Sequence, residues 1–309
     1  MSRIVHPNLV PSYAVIILDI KAYIIMPLMI YGDLSSIISF RFSKGIHDEN
    51  VIATIMKFCL EAIDCLNNNN WFHRDVKASN ILLDKDGSCR LGDYGVSTII
   101  KEEGNKTYVG SLCWMAPEIA LNLKYNYKID IWSLGITAIE IANGKPPYND
   151  IPPMKFIEIA KSNEVPSLKE DNFKFSDEFK NFVKSCLIKD PNLRPSAKEL
   201  LSTHKAFLEK AKNKEYIFEN VLKGCPNLHD IFPKKLNEKE QFFVKSQIND
   251  ANLKSKNSVE GDEELNTDEK DGATEENIPN LMGALQRKID KNVNDLKGIL
   301  SDLNEEECE

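Results

Sequence analysis

Residues 73–80 read HRDVKASN and residues 93–95 read DYG, so an aspartate, a lysine, an asparagine and a second aspartate fall close together in the chain. Asp75 can accept a hydroxyl proton, and Lys77 can offset charge on a transferring group. The Asn80 carbonyl oxygen and the Asp93 carboxylate are hard donors that suit Mg2+, an ion that takes few protein ligands when phosphates supply the rest. Together these groups fit phosphoryl transfer, in which positioning and charge neutralisation do nearly all the work and little covalent chemistry falls to the protein. The HRD triplet alone is weak. Followed in order by DYG and by WMAPE at 114–118, it is specific.

Elements must hold these groups. Residues 72–95 read as a loop, a short hairpin centred on Asp86 and Gly87, and a second loop. Residues 48–68 place apolar side chains at helical spacing, which predicts a long buried helix. IDIWSLGITAIEIAN (129–143) is apolar on nearly every side and predicts a helix at the centre of the core. Asp33 is a candidate N-cap for a helix from residue 34, and residues 96–118 lack periodicity and read as a long functional loop. The apolar run at 13–31 is long enough to suggest a membrane span. Asp19 and Lys21 would then lie mid-bilayer, at about 2.5–3.5 kcal/mol each, and the β-branched content predicts two short strands with a tight turn instead.

Composition narrows the class. The net charge of −8 is uneven. Residues 255–309 hold 16 acidic and 6 basic side chains, whereas the rest holds 31 acidic and 33 basic. A nearly neutral body with an acidic tail is not the clustered basic stripe of a nucleic-acid binder. The seven cysteines form no CxxC pair; they suggest neither a disulfide framework nor a zinc site, and point to a reducing, cytoplasmic setting. Residues 254–277 are polar and acidic, a pattern expected to be disordered. Residues 278–304 then carry a stripe of Leu285, Ile289, Val293, Leu296, Leu300 and Leu303, predicting a helix that docks on the body or on a partner helix.

The ordered motifs resemble those of the protein kinases, with an α+β fold whose helical large lobe follows a sheet-based small lobe. The resemblance covers roughly residues 1–212: a small-lobe remnant and hinge at 1–32, a large lobe at 33–212, then an extension at 213–253. KTYVGSLCWMAPEI, DIWSLGITAIEIANGKPPY, PPMKF and KAKNKEY are similar to the Fray and oxidative-stress-responsive kinases of the germinal-centre, sterile-twenty-like group. Lys77 with Gly110 and Ser111 resembles serine/threonine rather than tyrosine kinases. The resemblance implies ATP and Mg2+ as cofactors and proteins bearing Ser or Thr as substrates. It makes Asp75 and Lys77 catalytic, Asn80 and Asp93 metal ligands, and Met26 the gatekeeper before a Pro27–Leu28–Met29 hinge. The adenine would bond Pro27 and Met29, the ribose would lie at Asp33, and Leu82 would form the apolar floor. Glu118 and Arg194 would form a buried pair, and Asp130 would hold the catalytic loop. Thr107 would be a phosphosite read by Arg74 and set by an upstream kinase.

The pattern also has departures. No GxGxxG occurs in the sequence, and Tyr94 stands where phenylalanine is usual. Lys21 lies between HPNLV and the hinge and so belongs to a turn between strands, not to the nucleotide. The expectation is that codons upstream of Met1 encode a phosphate-covering loop with its strand lysine and helix glutamate. The alternative is a pseudokinase-like scaffold that binds partners without transferring phosphate.

Overall fold

The computed structural model describes residues 4–18, 21–93, 98–99, 112–149, 151–169 and 173–228. The chain divides into two units, Met1–Lys235 and Leu236–Glu309, and only the first contains described residues. The tail segments 254–277 and 278–304 therefore lie outside the described residues.

The run that suggested a span forms two strands, β1 (Ala14–Leu18) and β2 (Lys21–Ile25), paired antiparallel with Leu18 opposite Lys21. Among the described residues, no helix is long and apolar enough to cross a membrane. A three-stranded sheet, in the order β3-β5-β6, combines β3 (Gly32–Asp33), β5 (Ile81–Leu83) and β6 (Cys89–Leu91). It places Asp33 opposite Leu82, and Leu9 bridges Leu91 at its edge. β4 (Trp71–Phe72) pairs with β7 (Thr98–Ile99).

Two long helices, Glu49–Asn68 and Ile129–Asn143, form the centre, with two short ones beside them. α1 (Leu34–Arg41) begins where the Asp33 carboxylate accepts from Ser36 N–H at 2.9 Å, an N-cap that satisfies an otherwise orphaned donor. α2 (Glu49–Asn68) is capped by Asp48 and buries one face through Ile52, Ile55, Met56, Leu60 and Ile63. Truncating any one of these to alanine would cost about 2–5 kcal/mol. α3 (Pro117–Ala120) is short, and α4 (Ile129–Asn143) is buried at every residue except Asn143. α4 stops at Gly144, which takes the left-handed φ of 82° with its N–H on the Glu140 carbonyl. A Cβ there would also lie 2.5 Å from the Ser43 carbonyl, so glycine is required on both counts.

Around this centre lie α5 (Pro153–Lys161), α6 (Asp177–Cys186), α7 (Ala197–Thr203), α8 (Lys205–Leu208) and α9 (Lys214–Ile217). The last described stretch runs back over the body. Lys212 N–H donates to Thr54 Oγ1 at 2.8 Å, and the Tyr216 hydroxyl donates to Asp48 at 2.8 Å. Ile217, Val221 and Leu222 are buried. Arg41 donates to the carbonyls of Val221 and Lys223, and Leu228 N–H reaches the Ile30 carbonyl at 2.9 Å. Residues 213–228 thus strap α1 and α2 to the segment just before β3.

Candidate active site

The loop at 73–80 is built on buried polar anchors. Asp130, at the start of α4, is fully buried and accepts from His73 N–H at 2.7 Å and Arg74 N–H at 2.8 Å. Those bonds hold Arg74 at a left-handed φ of 72°, a conformation that costs a residue with a Cβ about 1–3 kcal/mol unless its surroundings enforce it. Burial pushes the Asp130 carboxyl up to about 7, and the two backbone bonds and Arg74 oppose that rise.

His73 has a defined tautomer. Its Nδ1 accepts from Asp75 N–H at 3.2 Å, so its Nε2 carries the proton and donates to the Gly92 carbonyl at 2.9 Å. Burial lowers its pKa to about 4 and keeps the ring neutral, against the bond to Gly92 and the nearby Asp75 and Asp93. One uncharged imidazole therefore ties the loop that carries Asp75 to the segment that carries Asp93. A second tie runs from Gly92 N–H to the Asn80 carbonyl at 2.8 Å.

Asp75, Lys77 and Asn80 come together. Lys77 Nζ lies 2.7 Å from Asp75 Oδ2, and Asn80 Nδ2 donates to the same oxygen at 3.0 Å and to the Asp75 carbonyl at 2.7 Å. Asn80 thus commits its side-chain nitrogen to Asp75 and its backbone carbonyl to Gly92, and the oxygen a ligand role would use is the side-chain Oδ1. Asp93 is exposed, at φ 54°. One amide oxygen and one exposed carboxylate fit Mg2+ that keeps phosphate and water ligands. Among the described residues, no group of three or more His, Cys, Asp or Glu could hold a metal alone.

Two of the expected nucleotide residues, Asp33 and Leu82, lie in the three-stranded sheet. Leu82 faces Gly92 and Val10: a Cβ at Gly92 would lie 3.1 Å from Val10 Cγ2 and 3.2 Å from Leu82 Cδ1. Val10 and Leu82 thus pack closely on Gly92. Asp33 is half-buried and opposite Leu82, with its carboxylate engaged by Ser36. Met26 is exposed, Pro27 half-buried and Met29 buried. Thr107 and Tyr94 lie outside the described residues.

Glu118 and Arg194 form a buried pair at 2.7 and 3.0 Å. The remaining guanidinium donors go to the carbonyls of Ile188, Lys128 and Lys189, so all five N–H groups are used. The guanidinium also lies 5.2 Å from the centre of the Trp132 ring.

Reasoning from sequence missed three residues. α4 is not uniformly apolar: Asp130, Ser133, Thr137 and Glu140 recur at spacings of three and four on one face. Thr137 Oγ1 donates within its own helix to the Ser133 carbonyl at 2.8 Å and lies 3.3 Å from the Val76 carbonyl. Ser133 Oγ donates to the Trp114 carbonyl at 2.8 Å. Glu140 Oε2 accepts from Ala78 N–H at 3.1 Å and from Trp114 Nε1 at 2.9 Å. Burial raises the Glu140 carboxyl to about 7; Ala78, Trp114 and Lys77 oppose this, and Asp33 adds to it. The helical spacing of these four polar residues was the signal to follow.

A loop that carries an aspartate, a lysine and an asparagine, tied to a second aspartate and suspended from a buried helix, has the arrangement of a protein-kinase domain. The chain belongs to the protein kinase family, whose domain model matches residues 1–206. It is 41% identical over 232 residues to serine/threonine-protein kinase fray2 of Dictyostelium discoideum, covering 74% of this chain and 22% of that protein. Germinal center kinase 3 of Caenorhabditis elegans is 36% identical over 251 residues, covering 74% of this chain and 42% of the relative. Serine/threonine-protein kinase ppk11 of Schizosaccharomyces pombe is 45% identical over 184 residues, 59% of this chain and 58% of its own length. The chain thus matches between 22% and 58% of the length of these relatives.

Proposed function

We propose that the protein transfers the γ-phosphoryl group of ATP to serine or threonine hydroxyls of protein substrates, in a signalling cascade of the cytoplasm. The observation that carries this is the convergence of Lys77 Nζ and Asn80 Nδ2 on one Asp75 oxygen, at 2.7 and 3.0 Å. Asp75 takes the proton of the attacking hydroxyl. Lys77 moves its charge toward the transferring group as the proton leaves. Asn80 and Asp93 would hold Mg2+, which when bound supplies charge neutralisation on the phosphates. Leu82, Val10 and Gly92 would receive the adenine, the Pro27 carbonyl and Met29 N–H would bond it, Met26 would gate the pocket behind it, and Asp33 would meet the ribose. Phosphate placed on Thr107 by an upstream kinase would pair with Arg74 beside the base. Six cysteines among the described residues are free thiols, in keeping with a reducing compartment.

The test is phosphate transfer from labelled magnesium–ATP to matched peptide mixtures bearing Ser, Thr or Tyr, using protein expressed from its own gene. Transfer to Ser and Thr, with magnesium–nucleotide binding lost in Asp93→Asn, is expected. Binding and transfer that are indifferent to Asp93→Asn would overturn the assignment.

A further inference from the structure

Tyr216 lies in the strap at 213–228, and its hydroxyl fixes the strap to the start of α2 by donating to Asp48 Oδ2 at 2.8 Å. The other Asp48 oxygen caps α2, accepting from Asn50 N–H at 2.8 Å and from Asn50 Nδ2 at 3.0 Å. Asp48 therefore cannot turn away from Tyr216 without uncapping the helix. The bond to Asp48 raises the Tyr216 pKa, with burial second, so the hydroxyl stays protonated and donating.

Beyond Tyr216 the strap is held by discrete contacts rather than by a long helix. α9 has four residues and passes into a π-helical turn over Phe218–Leu222, a rare form found mostly at functional sites. Phe218 meets Tyr31 edge-on with ring centres 6.4 Å apart, and Leu228 N–H reaches the Ile30 carbonyl. Ile30 and Tyr31 directly follow the segment proposed as the hinge. Asn213, Lys214, Glu215, Glu219 and Asn220 are exposed, so this stretch presents its outer side to a modifying enzyme. Tyr216 itself is half-buried and becomes reachable when the strap opens locally. Of the three lysines just before it, Lys210 is paired with Glu49 at 2.6 Å and Lys214 with Asp86 at 2.7 Å. Among the described residues, only Lys212 of the three has no ion-pair partner.

We propose that Tyr216 is a phosphorylation site, and that its phosphate unlatches the strap from α2 and from Ile30 and Tyr31. A tyrosine kinase supplies the phosphate from ATP. Tyr216 Oη bonds the γ-phosphorus, the bond to the β–γ bridging oxygen breaks to release ADP, and the phenolic proton passes to that enzyme's base. The product carries close to two negative charges at neutral pH and has lost the proton it gave to Asp48. Those charges face a carboxylate at hydrogen-bonding range, and one lysine does not offset them. The latch is independent of the kinase reading above; only its effect on nucleotide binding rests on that reading.

The test is treatment of the whole protein with a broad-specificity soluble tyrosine kinase and magnesium–ATP, site mapping by mass spectrometry, and then hydrogen exchange. Phosphate is expected on Tyr216, and about five-fold faster in Asp48→Ala, where the strap opens more often. In phosphorylated wild type, amides of 214–228 and 30–33 should exchange about ten-fold or more faster than in unmodified protein. They should also exceed those of Tyr216→Phe, which loses the bond without gaining charge. Asp48→Asn keeps a cap and an acceptor without the charge, and should shrink the effect of phosphate to about three-fold or less. No phosphate at Tyr216, or exchange in the phosphorylated protein no faster than in Tyr216→Phe, would overturn the proposal. An Asp48→Asn protein that responds to phosphate as fully as wild type would overturn repulsion as its cause. Wild type that fails to bind magnesium–ADP would overturn the kinase reading instead, and the exchange result would still decide the latch.

Discussion

Two ion pairs in this molecule have the same length and opposite characters. Lys77 and Asp75 stand 2.7 Å apart with 19% and 14% of their side chains exposed, whereas Arg194 and Glu118 stand 2.7 Å apart at 0% and 3%. Arg194 has spent every donor on a carboxylate or a carbonyl, so nothing can be exchanged there without leaving a buried charge unpaired. Asp75 uses one carboxylate oxygen for Lys77 and Asn80, in a place that solvent reaches. Saturation marks a charge that holds structure. Solvent access beside a cation marks the pair assigned here to the proposed chemistry. Distance alone cannot separate the two.

The comparison predicts opposite phenotypes. Asp75→Asn should reduce peptide phosphorylation by about 1,000-fold, within the range general-base removal gives, with stability close to wild type. A loss below about ten-fold in kcat would refute Asp75 as the base. Arg194→Ala should cost about 3–5 kcal/mol in chemical denaturation, because Glu118 is left buried and alone. A cost below about 1 kcal/mol would show that the pair is dispensable.

The pair of carboxylates on α4 sharpens the contrast further, since both are buried and both take their hydrogen bonds from backbone N–H groups or an indole. Glu140 is raised from 4.5 to about 7 by burial, so the folded state holds its proton more tightly than the unfolded chain does. Its contribution to stability is greatest below about 4.5 and falls as pH rises toward about 7. Denaturation at several pH values should show wild type losing about 1–3 kcal/mol relative to Glu140→Gln between pH 5 and 7.5. Parallel curves would refute the raised value. Asp130, raised to about 7 by burial, keeps a similar slope in both proteins. The smallest effect belongs to the exposed pair of Lys214 with Asp86, at 47% and 41% exposure. Asp86→Ala should change stability by less than about 1 kcal/mol at physiological salt, measured by the same denaturation.

The residues proposed to do chemistry were legible because their types and order are those that phosphate, metal and proton would demand. Helix boundaries were legible where a cap or a periodic run marked them, as at Asp33 before α1 and over 48–68 and 129–143. What escaped was pairing at long range. Nothing local says that Glu140 takes donors from residues 62 and 26 positions away. Its carboxylate sat in a run judged by mean apolarity, where three polar residues at helical spacing were outweighed by their neighbours. The partner of Lys214 was equally hidden, because a surface lysine and the turn aspartate Asp86 carry no mark of each other, 128 positions apart.

The strap formed by residues 213–228 bears on how the chain is made. Arg41 donates to the carbonyl of Lys223, 182 residues further on. At a synthesis rate of about 5–20 residues per second, α1 waits about 10–35 s on the ribosome before that partner has been polymerised. During that interval the surfaces later covered by Ile217, Val221 and Leu222 are open to solvent and to other nascent chains. Codons that slow translation before residue 213 would lengthen that exposure, the condition under which nascent chains aggregate.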